Sequence, residues 1–213
     1  FQTILRPPPV LPSWPAWDRA TSRASHERLL EGALDADTLF PPGPEGTRGT
    51  YWTGKSLGKA ALHAALAHEI GARDLRDRFV RAIETELALW FDGDGPELFS
   101  YDATWGTLIG IPSEYRSGWE LNDHHFHYGY FVHAASTVAR FDPAWAQKTR
   151  FGGMVDLLVK DCANQDRDDD RFPFLRHMDP YAGHSWANGP SLFREGNNQE
   201  SSSEAMNFAW AVA

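Results

Sequence analysis

The chain has 213 residues, 42% of them hydrophobic, a formal charge of -9 and a single cysteine, Cys162. That length and apolar content suit one packed domain. The acidic balance excludes nucleic acid or an anionic membrane as the natural partner. One cysteine excludes an internal disulfide and a cysteine-based zinc site, and no apolar run reaches the about 18 residues that a membrane span needs.

Residues 1–54 form a Pro/Gly-rich leading segment ("RPPPVLPSWP", "FPPGPEG") in which only "RASHERLLEGAL" is helix-like. It shows no charged n-region followed by an apolar stretch, so no signal-peptide pattern is present. Residues 55–213 read as a succession of helices. "KSLGKAALHAALAHEIGA" (55–72) is apolar nearly all round, the pattern of a buried helix. "DLRDRFVRAIETELALWF" then places Leu75, Phe79, Ile83, Leu87 and Trp90 on one stripe. A third helix carries Phe131, Ala134, Val138 and Phe141 and stops before Asp142-Pro143. "GGMVDLLVKDCANQ" is a fourth and "NQESSSEAMNFAWAVA" a fifth.

Little strand is expected between these helices. The segments 92–121 and 165–197 are long, aromatic loops, and long loops in a packed domain usually carry function. The expected fold class is all-α: helical hairpins with their long loops on one face, an α/α toroid or array. The last helical pattern has no stop signal, so the sequence reads as a piece of a longer protein. Apolar surface is therefore expected to lie open along residues 55–72 and 205–213.

The densest chemistry is "ELNDHHFHYGYF" (120–131), with Asp123, His124, His125 and His127 among four aromatic rings. His124 and His127 share a helix face and invite a zinc hypothesis, but no H-E-x-x-H or Cys/His framework accompanies them. No metal is expected there. "DRDDDR" opens like a calcium loop at Asp166, Asp168 and Asp170. It then fails, because Arg171 stands at the turn glycine and His177 at the bidentate glutamate. "GHSWA" (183–187) resembles a nucleophile elbow without the strand that must precede it.

Paired carboxylates are the strongest candidate. Glu200 and Glu204 lie one helical turn apart, on one face. Acids at a helix start also complement its dipole, and Asn198 or Ser201 could cap that helix, as Asp123 with Asn122 could cap the third. Together with nine tryptophans, which stack on flat ligand faces, these carboxylates favour a carbohydrate cleft. Cleaving a glycosidic bond takes two carboxyl groups flanking the sugar.

Four ordered blocks carry a specific resemblance: "YDATWGTLIGIPSEY", "LNDHHFHYGYF", "DPYAGHSWANG" and "GNNQESSSEAMNFAW". They resemble successive signatures of glycoside hydrolase family 81, as do "YWTGKSLGKAA" and "RFPFLRHMDPY" and, more weakly, "LPSWPAW". The resemblance implies a secreted, inverting endo-β-1,3-glucanase of laminarinase type, acting on β-1,3-glucan without a cofactor. It implies that this chain is the first part of an (α/α)6 barrel whose remainder is missing. It also implies Asp123 as general acid, Glu200 as the base that activates water, and Glu204 as a supporting carboxylate. His124, His127, Tyr128 and Tyr130 are then expected to bind sugar beside the acid. Trp105 and Asp102 would do so from the first long loop, and His184, Trp186 and Asn198 from the second. The alternatives are a non-catalytic glucan-binding fragment and a metal-dependent hydrolase using His124 and His127. The two catalytic carboxyls are expected across a groove at about 6.5–9.5 Å, the inverting separation.

Overall fold

The computed structural model describes residues 19–188, 194 and 196–213. Residues 1–18 of the leading segment, with "LPSWPAW", lie outside the described residues. The elements run α1 (Arg19–Ala33), α2 (Ala36–Leu39), α3 (Thr50–Glu69), α4 (Arg73–Phe91), β1 (Leu98–Asp102), β2 (Thr107–Ile111) and α5 (Ser117–Glu120). They continue with α6 (His124–Phe141), α7 (Gly152–Ala163), β3 (Met178–Asp179), β4 (His184–Ser185) and α8 (Ser202–Val212).

The fold is predominantly helical, as the periodicity predicts, and α6 is its centre. It packs against α3, α4, α7 and α8. All five predicted stripe residues of α4 are buried. The α3–α4 hairpin closes on Gly71 at φ 77, where a left-handed residue lets its N–H reach the His68 carbonyl at 3.0 Å. A slot of small residues brings α3 against α6. A Cβ on Gly58 would stand 2.6 Å from the Tyr130 ring, and one on Gly54 would stand 3.1 Å from the His127 carbonyl oxygen. An aromatic cluster fills the interior, with Trp90–Phe131 at 5.1 Å and Phe99–Tyr128 at 5.1 Å between ring centres.

Two features depart from the expected pattern. Helix α3 begins at Thr50, not Lys55. Its free N–H groups are met from outside: the Glu114 carboxylate accepts from Tyr51 at 2.7 Å and Trp52 at 3.0 Å. The loop 92–121 contains an antiparallel hairpin, β1–β2, pairing Leu98 with Ile111 and Asp102 with Thr107. Its strands are held by the helices beneath. Tyr128 Oη donates to the Leu108 carbonyl at 2.9 Å and accepts from Gly110 N–H at 3.1 Å. A second, two-residue pairing joins β3 to β4.

Apolar side chains stand open on the helices named for it: Leu62 of α3 is 55% exposed, and Met206 and Val212 of α8 are 62% and 48% exposed. Among the described residues no helix is long and apolar enough to cross a membrane.

Candidate active site

Asp123 and Glu200 occupy matching backbone positions. Each has a left-handed φ, 59° and 58°, and each stands at the start of a helix, α6 and α8. Non-glycine residues adopt this conformation at a cost, and it recurs at functional sites. Six of the described residues do so, four of them from Tyr115 to Asp123. Asp123 occupies the cap position of α6, yet its side chain makes no capping hydrogen bond. Ser201 does cap α8, its hydroxyl accepting from Glu204 N–H at 3.4 Å.

A two-step backbone bridge joins the two helix starts. Asp123 N–H donates to the Ala187 carbonyl at 2.9 Å, and Ala187 N–H donates to the Asn198 carbonyl at 2.9 Å. The carboxyls of Asp123, Glu200 and Glu204 thus share one electrostatic neighbourhood. Asp123 is buried. Its Oδ2 accepts from Asn122 Nδ2 at 2.7 Å, while its Oδ1 has no partner. Burial raises this carboxyl first and the charge of Glu200 second. The Asn122 bond and His124 pull it down, Glu204 raises it again, and the result is about 7. An acid that keeps its proton near neutrality is what a proton donor requires.

Two of the neighbouring histidines do not oppose this. Burial pushes His125 and His127 down to about 3, so both are neutral near pH 7. His127 Nδ1 lies 2.8 Å from Thr50 Oγ1. His124 is fully enclosed, with Nδ1 2.7 Å from Asp161 Oδ2 and Nε2 2.9 Å from the Ser117 carbonyl. Asp161 also accepts from the Thr107 hydroxyl at 2.7 Å and Leu108 N–H at 2.8 Å. Burial alone would raise the Asp161 carboxyl, but His124 and then Arg176 hold it below the usual range. This buried pair anchors the start of α6 that presents Asp123.

Among the predicted residues, Tyr130 joins the carboxylates directly: its hydroxyl donates to Glu204 Oε1 at 2.8 Å. Tyr128 is fully buried under the β1–β2 hairpin, as described. Asp102 closes the hairpin turn, accepting from Thr104 N–H at 2.8 Å and Trp105 N–H at 3.1 Å, which leaves Trp105 exposed at the tip. Trp186 Nε1 donates to Asp179 Oδ2 at 2.9 Å, and its ring meets His184 edge-on at 4.5 Å. Asn198 supplies the bridge to Ala187. The Asp102 carboxylate is thus engaged in the hairpin turn, and the Trp105 carbonyl accepts from Arg176 at 3.4 Å.

Sequence reasoning missed Asp161, Glu114, Tyr51 and Lys55. Asp161 had a signal, a lone acid between the buried Leu158 and Cys162 of α7. Ser185 lies on the two-residue β4, where its hydroxyl has no partner. In "DRDDDR", Lys160 and Arg171 approach Asp169. Among the described residues no group of three or more His, Cys, Asp or Glu side chains is arranged to hold a metal ion.

The starts of two helices thus bring together a buried carboxyl whose pKa is raised, two further carboxyls in its field and the Tyr130 hydroxyl. The family model described as "Glycosyl hydrolase family 81 C-terminal domain" matches residues 35–213, and the chain belongs to that family. It is 49% identical over 213 residues to a glucan endo-1,3-beta-D-glucosidase of Acetivibrio thermocellus, covering 99% of this chain and 27% of that protein. It is 46% identical over 216 residues to the enzyme of that name from Thermobifida fusca, covering 100% of this chain and 28% of the relative. A solved glycoside hydrolase family 81 structure from Clostridium thermocellum superposes with a TM-score of 0.82 at 47% identity, over 95% of this chain and 27% of that one. The chain therefore spans about a quarter of the length of these relatives.

Proposed function

We propose that this chain carries the two-carboxylate centre of a secreted endo-β-1,3-glucanase. The observation that carries this reading is the Asp123 carboxyl, raised to about 7 by burial and by its carboxylate neighbours in a member of family 81. Asp123 gives its proton to the glycosidic oxygen as the bond to the anomeric carbon breaks. Glu200, which is exposed, takes a proton from the water that attacks that carbon from the opposite face. The configuration at carbon inverts, and this requires carboxyls about 6.5–9.5 Å apart, with room for the water. Glu204 orients that water or Glu200.

In this reading the helical hairpins are part of an (α/α)6 barrel with the groove on the loop face. Tyr130, His184, Trp186 and Asn198 line the groove, and Trp105 on its Asp102-built turn extends it. The enclosed His124, His127 and Tyr128 hold the walls. A glucan polymer is too large to enter a cell, which fits action outside it. No metal takes part.

The test uses the full-length protein on β-1,3-glucan and β-1,4-glucan, with product sizing and NMR of the first products. Internal cleavage of the β-1,3 polymer alone, with the α-anomer first, is expected, unaffected by chelator. D123N and E200Q should each lose about 10²–10⁴-fold in rate while glucan binding survives. A β-anomer first, or activity retained in either variant, overturns the assignment.

A further inference from the structure

Two donors from two different helices converge on one oxygen of Glu204. Tyr130 Oη donates to Oε1 at 2.8 Å, and Lys55 Nζ lies 3.8 Å from the same atom. The ammonium of Lys55 also stands over the faces of Tyr51, at 5.5 Å, and Tyr130, at 5.7 Å, where the ring quadrupoles favour a cation. The sequence builds this through "TGKSLG" in α3. Gly54 and Gly58 leave the slot in which Tyr130 lies: a Cβ at Gly58 would collide with the ring at 2.6 Å, and one at Gly54 would crowd the His127 carbonyl at 3.1 Å and the Tyr130 Cβ at 3.2 Å. Tyr51 closes the group. Burial first, then Glu204, pushes its hydroxyl above the ordinary value.

A role in stability does not account for Lys55. Its side chain is 43% exposed, and ion pairs of that kind add little to folding. We propose that Lys55 and Tyr130 are a positioning unit for the reaction. They hold Glu204 by Oε1 so that its second oxygen meets the water which Glu200 activates. This rests on the two-carboxylate reading above. Neither residue touches the reacting atoms; both act through Glu204.

The test measures kcat, KM and thermal stability of K55M, K55R, Y130F and K55M/Y130F in the full-length protein, with E200Q as reference. K55M and Y130F should each lower kcat about 10–100-fold, the scale on which hydrogen-bonding partners of metal-ligating groups act. KM and the melting temperature of K55M should hardly change, and K55R should recover most of the rate. The double variant should fall short of the product of the single losses, because both act on one carboxylate. An unchanged kcat in K55M and Y130F beside an inactive E200Q overturns the positioning role and leaves the site intact. An active E200Q overturns the site itself. Parallel loss of rate and stability in K55M, with no recovery in K55R, reduces Lys55 to a structural residue and overturns the proposal.

Discussion

Asp123 and Glu200 share a backbone conformation and a place before a helix, but their surroundings are opposites. Asp123 is buried, held by Asn122 and backed by the enclosed His124–Asp161 pair. Glu200 is exposed, just before α8, a helix that packs on α6 and is bridged to its start through Ala187. Environment divides the two carboxyls: desolvation favours the protonated form of Asp123, and solvent access suits Glu200 to a water, the division that the proposed mechanism uses. The enclosed side also holds the fully buried His124–Asp161 pair, so the two halves of the site should respond differently to substitution.

The largest expected effect lies in the enclosed half. D161N leaves His124 and Arg176 facing an uncharged partner in a site without solvent, and breaking a buried pair costs about 3–5 kcal/mol. Urea unfolding of the full-length protein measures it. The folded Asp161 carboxyl is depressed, so its contribution is present above the unfolded value of about 3.9 and is lost as pH falls through the lower folded value. D161N should therefore narrow its deficit in strong acid. A deficit below about 1 kcal/mol at pH 7 would dissolve the contrast between the two halves.

What the sequence revealed divides along similar lines. Local periodicity identified α4 correctly because Leu75, Phe79, Ile83, Leu87 and Trp90 all face the core. It missed the first turn of α3 because that turn is satisfied by Glu114, more than 60 residues away in the chain. The β1–β2 hairpin was hidden for the same reason: its strands are fixed by Tyr128 and Asp161 from two helices, and strand formation depends on such context. Glu200 and Glu204 stood out as a pair one turn apart and Asp123 as the acid of the histidine-rich run, while their expected roles came from the family resemblance. The roles of His124 and Tyr128 did not, since a histidine on an acid and a tyrosine under a hairpin look in sequence like any ligand-facing pair.

The second effect is a pH-dependent one on Asp123. Its folded carboxyl holds a proton to about 7, while an unfolded aspartate loses it near ~3.9. The stability linked to this group is thus full below the unfolded value and is lost as pH rises through the folded one. D123N removes the ionisation. The variant should melt close to wild type at pH 4 and above it at pH 8, by about 2–4 °C for each kcal/mol recovered. A melting difference that does not grow with pH would mean that burial does not hold the proton, and the division between the two carboxyls would fail.

The smallest effects belong to the open half. E200Q changes an exposed side chain, and such changes usually stay within about 0.5 kcal/mol. S201A removes the acceptor for Glu204 N–H. Losing a helix cap of this kind costs about 0.5–2 kcal/mol, and the long 3.4 Å bond puts this one at the lower end. Stability and rate should part company here. A loosened first turn of α8 moves Glu204, so S201A should lose more in kcat than its stability loss suggests, whereas D161N should lose stability first. Melting temperature and kcat measured on both variants decide the matter. If S201A destabilises as strongly as D161N, the start of α8 is as firmly built as that of α6, and solvent access alone, without looser construction, separates the two carboxylates.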